Sequence, residues 1–155
     1  MTKQGLKVAI QHASSLPQYP SLADAQRELF ALRDQRLCLV QSWADASPGF
    51  SADRTPQSLK ALEAWYFEPP NPPTAAASDP LDVASAIGVY LGQVLVEHGG
   101  FTWVVTESPF QAGHFEIGVT KGLFTLMLTC GCTPEPLERN RRKQSLFRMF
   151  QKYSA

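Results

Sequence analysis

Cys130-Gly131-Cys132 is the grouping in this chain that most invites a metal or redox reading. A structural zinc site needs four soft ligands in paired spacing. The other candidates, Cys38, His12, His98 and His114, stand singly along the chain. A redox pair would be Cys-x-x-Cys opening a helix, where the dipole lowers a thiol pKa. Here the spacing is one residue, the pair follows a strand-like run, and Pro134 and Pro136 come next. The cysteines therefore read as structural residues at a strand end, and neither a metal nor a cofactor is expected.

The other polar candidates are spread over two elements. His114 and Glu116 are two apart on a predicted strand and point to one side. With Glu107 or Glu97-His98 nearby they could form an acid–base pair, which requires hydrogen-bond reach and a tuned pKa. The competing reading is a solvated strand face, with Phe115, Ile117 and Val119 on the other side. Tyr90, Gln93, Glu97, His98 and Trp103 could join His114 and Glu116 as the lining of a ligand pocket between a helix over 80–98 and the sheet that follows. No nucleophile elbow and no phosphate-cradling glycine loop is present. Gly88-x-x-x-Gly92 falls inside a helix, where its N–H groups are already committed. No catalytic residue is assigned.

The run Glu138-Arg139-Asn140-Arg141-Arg142-Lys143 is basic. From Glu135 onward six Lys/Arg face two carboxylates, a balance of +4 that leaves −4 on residues 1–134 of a neutral chain. Nucleic-acid binding would want aromatic stacking platforms among those charges, but Phe147 and Phe150 fall on a core-facing helix side. Arg139, Arg141, Arg142 and Lys143 read as a solvated helix face, or as a contact for an acidic protein partner. No nucleic-acid partner is expected.

The elements that must hold these residues follow from local signals. Residues 1–20 form an N-terminal arm, in which Leu6-Lys7-Val8-Ala9-Ile10 alternates and could be an edge strand or a loosely docked segment. Ser21-Leu22-Ala23-Asp24 has the form of a capping box, and Leu22, Ala25, Leu29, Leu32, Arg36, Val40 and Trp43 recur at helical spacing up to about Ala46. Thr55-Pro56 opens a second helix, which must stop before Pro69-Pro70. Residues 69–79, rich in proline and alanine, are an internal connector with an extended bias. Asp79-Pro80 opens a third helix, and Gly99-Gly100 supplies the left-handed stop. From Val83 to Val96 that helix is apolar around most of its girth, which places it centrally. Its small-residue stripe, Ser85, Gly88 and Gly92, requires a close neighbour, either another helix or the sheet beginning at Phe101.

The period then changes to alternation over 101–106, 114–119 and 123–129, with a short turn at Lys121-Gly122. This predicts a three-stranded antiparallel meander over 101–129. A last helix from about Pro136 to Tyr153 carries Leu146, Met149, Phe150 and Tyr153 on one face. The fold class is α+β in a single domain over 1–155: helices on one face of a small antiparallel sheet, with a C-terminal helix.

Tyr90-Leu91-Gly92, Val94-Leu95, Gly99-Gly100 and Trp103 form a helix of the type Tyr-Leu-Gly-x-Val-Leu running into Gly-Gly-x-x-Trp and a meander. In this the chain resembles small uncharacterised bacterial α+β proteins, some of which are similar to immunity proteins that neutralise toxins of neighbouring cells. The resemblance covers about a third of the chain. It implies a protein-binding role. Where those proteins carry an acidic residue after the second helix glycine, this chain has Gln93.

Composition bounds the remaining classes. With 155 residues, 44% hydrophobic and 18% charged, the chain is globular. Zero net charge exerts no pull toward an anionic membrane. MTKQGLKVAIQHASS lacks a signal-type apolar run, and nothing approaches a spanning segment. An odd count of three cysteines fits a reducing interior, so a cytoplasmic home is expected. These features imply a non-enzymatic interaction module with a protein partner, and the resemblance adds that it is of immunity type; self-association stays open. The alternative is a small enzyme or small-molecule binder using the pocket between helix 80–98 and the sheet.

Overall fold

The computed structural model describes residues 2–67, 80–128 and 144–155. Within them lie five helices and one sheet: α1 (Lys3–Ser15), α2 (Leu22–Asp45), α3 (Pro56–Phe67), α4 (Pro80–His98), β1 (Thr102–Glu107), β2 (Phe115–Lys121), β3 (Phe124–Met127) and α5 (Ser145–Ser154). This is the expected α+β fold, with the meander in the order β1-β2-β3, antiparallel throughout. Connector 69–79, the cap residue Asp79, the cysteines Cys130 and Cys132 and the basic run with Arg139, Arg141, Arg142 and Lys143 lie outside the described residues. Cys38 is exposed and carries a free thiol.

Register fixes which strand residues face the helices. Trp103 pairs with Val119, and Val105 with Ile117, so these four share a face with Phe115. Val105, Phe115 and Val119 are buried there. Helices α2 and α4 cover that face; α3 and α5 pack behind them, touching α4 and each other. The core accordingly centres on α4: Ile87, Tyr90, Leu91, Val94 and Leu95 are all buried against residues from α2, α3, β2 and α5.

Local chemistry sets the element ends. Ser21 Oγ accepts the Asp24 amide at 3.1 Å and donates to the Asp24 carboxylate at 2.9 Å. The short Asp chain meets the cap hydroxyl rather than the cap backbone N–H, which is where the longer Glu of a full capping box reaches. Thr55 Oγ1 accepts from the Ser58 amide at 3.3 Å at the start of α3. At the end of α4, Phe101 N donates to Leu95 O at 3.3 Å and Gly100 sits at φ 77°. With Gly99 N also donating to Leu95 O at 2.8 Å, the left-handed glycine ends the helix and turns the chain directly into β1.

Of the two readings left open for Leu6–Ile10, the edge strand is not the one found: residues 3–15 are helical, and Thr2 Oγ1 caps them by accepting from Gly5 N at 3.0 Å. Over the longer window Leu6, Ala9, Ile10 and Ala13 follow the helical i, i+3, i+4, i+7 rule, which five residues were too few to reveal. The strand-like pairing falls just beyond, where Phe115 N donates to Pro17 O and Tyr19 N to Gly113 O, both at 3.0 Å. The C-terminal helix is present as α5 from Ser145, preceded by Gln144 at a left-handed φ of 51°; the part expected between about Pro136 and Lys143 lies outside the described residues.

Candidate functional site

The polar residues singled out in the sequence are not gathered into one pocket; they fall into three separate groups. Tyr90 is buried in α4, and its hydroxyl meets Ser58 Oγ at 2.6 Å and accepts from Arg54 N at 3.0 Å. Burial pushes the Tyr90 phenol above its usual value, the Ser58 hydrogen bond opposing this. Ser58 Oγ also meets Thr55 O at 2.6 Å, so this cluster pins the 53–58 turn to the central helix. Glu97 and His98 sit exposed at the rim of the same turn. The Glu97 carboxylate is 3.9 Å from Arg54 Nη1. Asp53 is held below the usual carboxylate range by the Thr55 hydroxyl and amide, with the His98 charge adding to the effect.

The second group is Gln93 with Trp103. The indole Nε1 donates to Gln93 Oε1 at 3.0 Å. A methyl at Gly92 would lie 2.5 Å from Leu128 Cδ1 and 2.7 Å from Trp103 Cη2. The glycine is therefore the bed on which the Trp103 ring and Leu128 lie, and at this level they fill the space between α4 and the sheet. The close neighbour that the small-residue stripe requires is the sheet side.

His114 and Glu116 form the third group, on the opposite sheet face. His114 Nδ1 donates to Leu16 O at 2.8 Å, and Glu116 Oε1 is 3.2 Å from His12 Nε2. Together with Ser14 Oγ donating to Gln111 Oε1 at 2.9 Å, they fasten α1 to the body of the molecule. Their acid–base potential is directed at an N-terminal helix.

Two features emerge that the sequence did not single out. Glu63 on α3 is buried, and its two carboxylate oxygens accept from Ser145 N at 3.0 Å and Leu146 N at 3.3 Å. It caps α5 from across the fold, where the local cap residue Gln144 gives no side-chain bond. Burial pushes its carboxyl above the usual range, the two backbone donors and Arg148 opposing this. A residue 82 positions away leaves no local signal of such a partnership.

The other feature is a groove of about 430 Å³ lined by Phe101, Lys121, Phe124, Lys152, Tyr153 and Ala155. It runs between the β2–β3 hairpin tip and α5. Phe124 stacks on Tyr153 at 5.2 Å and meets Phe101 edge-on at 6.2 Å, giving an aromatic floor. Lys121 Nζ lies 5.7 Å from the Phe101 ring and 3.5 Å from Ser154 O, and Lys152 Nζ lies 5.3 Å from the Tyr153 ring. Leu123, at the hairpin tip beside the groove, is fully exposed. The sequence signal that could have found it is Lys121-Gly122-Leu123-Phe124, a two-residue turn whose second residue is apolar with nowhere to bury.

Among the described residues no three of His, Cys, Asp and Glu converge on a point that could hold a metal ion, and no helix is long and apolar enough to cross a membrane. Neither a curated protein nor a solved structure matches the chain. A family model does match, over residues 18–154, which takes in every element from α2 to α5 and leaves α1 outside. The chain belongs to the family described as uncharacterised protein YwmA.

Proposed function

We propose that this protein is a non-enzymatic interaction module that binds, and in the immunity manner neutralises, a partner protein in a reducing cytoplasmic setting. The observation that supports this reading is the division of labour among its side chains. The polar candidates Tyr90, Gln93, Trp103, His114 and Glu116 are spent on holding turn, helix, sheet and arm together. The apolar side chains left outside include Leu123 and Phe124, side by side at the hairpin tip. An apolar tip supports the reading of a contact surface over a reaction centre, since Leu123 and Phe124 carry neither nucleophile nor base.

The reading is tested by affinity capture from the native extract with the full chain and with a Leu123→Ser/Phe124→Ser variant. A protein retained by the first and lost by the second, whose own activity falls as the chain is added in equal amounts, supports it. Co-purification of a small molecule with both, and of no protein that distinguishes them, overturns it in favour of a ligand-binding role.

A further inference from the structure

We propose that the groove between the hairpin tip and α5 takes an acidic segment of the partner, seating one aromatic or branched aliphatic side chain on the floor of Phe101, Phe124 and Tyr153 while flanking carboxylates meet Lys121 and Lys152. This rests on the interaction reading above and specifies the chemistry of its contact.

Three observations on the groove define the occupant. The first is charge. Among its described lining Lys121 and Lys152 are cationic and no Asp or Glu is present, so beside the terminal carboxylate of Ala155 the lining keeps a net positive charge. Neither lysine forms an ion pair among the described residues; each ammonium lies over a ring instead. A cation so placed retains its capacity for a carboxylate, and the rim position makes that contact one of selection and steering more than of raw affinity. The second is shape. A space of about 430 Å³ walled by three aromatic rings is large enough for one big side chain with its neighbours. Aromatic anchors in such pockets dominate protein contacts. The third is continuity. Exposed Leu123 extends the apolar surface past the groove along the hairpin tip. A chain segment, which continues beyond its anchored residue, covers both; a small molecule filling the groove leaves Leu123 bare.

The test uses the full chain and a fluorescein-labelled peptide, Glu-Asp-Phe-Asp-Leu-Glu, read by fluorescence anisotropy, with amide shifts of residues 121–124 and 150–155 followed by NMR to locate binding. Two control peptides carry Gln and Asn, or Lys, in place of the carboxylates. The acidic peptide is expected to bind, to shift those amides, and to weaken as salt rises. The neutral peptide, and the Lys121→Glu/Lys152→Glu protein with the acidic peptide, are each expected to bind roughly tenfold more weakly, the scale of two exposed charge contacts. The lysine peptide is expected to prefer the charge-reversed protein, a rescue that a merely misfolded variant cannot give. Equal binding of acidic and neutral peptides, or shifts elsewhere on the surface, overturns the proposal. So does a dimer that dissociates on charge reversal, which would make a second copy the occupant. If capture of the partner still depends on Leu123 while the peptide stays unbound, this inference falls and the interaction reading stands.

Discussion

Gly92→Ala puts one methyl group where the structure leaves no room for it. In an open helix the change would help, because alanine is favoured over glycine by about 1 kcal/mol in a helix interior. Here the new Cβ lies 2.5 Å from Leu128 Cδ1 and 2.7 Å from Trp103 Cη2, against a comfortable carbon–carbon separation of about 3.5–4.0 Å. The two clashes differ in kind. Leu128 Cδ1 is the end of a flexible chain and can rotate aside. The Trp103 ring is rigid and tethered by its Nε1 bond to Gln93, so moving it by about an ångström strains or breaks a hydrogen bond worth about 1 kcal/mol. Overpacking of this kind costs about 1–3 kcal/mol. With the helix gain set against the clash and the lost bond, Gly92→Ala is expected to be less stable by about 1–2 kcal/mol, a fall in Tm of roughly 2–8 °C for a chain of this size. Urea unfolding with an unchanged m-value measures it. The same substitution in a Trp103→Phe background, where the six-membered ring of the indole is gone, should be close to neutral, and the difference between the two backgrounds is the coupling energy. Equal stability of Gly92→Ala and the parent chain, or an equal cost in both backgrounds, would refute the account of Gly92 as the bed of the Trp103 ring.

Tyr90→Phe removes the hydroxyl that accepts from Arg54 N and meets Ser58 Oγ; a loss of about 1–3 kcal/mol in urea unfolding is expected, since the Arg54 amide loses its partner. Gly100→Ala forces a Cβ into φ 77° at the helix stop and is expected to cost about 1–2 kcal/mol by thermal melting. For Glu63 the folded value is raised above the usual 4.5, so the stability it contributes is full below that value and lost as pH rises through the folded one. The stability advantage of the parent chain over Glu63→Gln, measured by urea unfolding, is therefore expected to shrink as pH rises above 4.5; an advantage that grows as pH rises would refute the sign.

What could be read from the sequence was what neighbouring residues decide among themselves. Ser21, Thr55 and the Gly99-Gly100 pair each act within a few positions, and all three helix ends lie where the caps put them. The meander was legible for the same reason, since period-two alternation and a short turn are local properties. Leu6–Ile10 stayed open between strand and docked arm because five residues satisfy both periods, and only Ala13 and Leu16, buried at the far end of the helix, show which face docks. The cap of α5 was illegible for a different reason. It depends on Glu63, and a carboxylate on one helix that completes the first turn of another carries no trace in either stretch of sequence.

The same distinction governs the candidate site. Residue types suited to acid–base or ligand chemistry are also the types that join elements, and sequence alone cannot say which use a fold makes of them. Here Glu116 finds His12, His114 finds a backbone carbonyl, and Trp103 finds Gln93. The first two fix α1, which buries only Ala13 along its length, and the third ties β1 to the central helix α4. The residues with surplus capacity are instead unremarkable in sequence: two lysines and three aromatic rings brought together by the hairpin and α5 from positions 101–124 and 152–153. Their distance from the polar groups follows from the topology. The β2–β3 turn points away from the end of the sheet where α1 docks, so the molecule presents its apolar, cationic groove at one end and its histidine-fastened arm at the other. A partner held at the groove would leave α1 untouched.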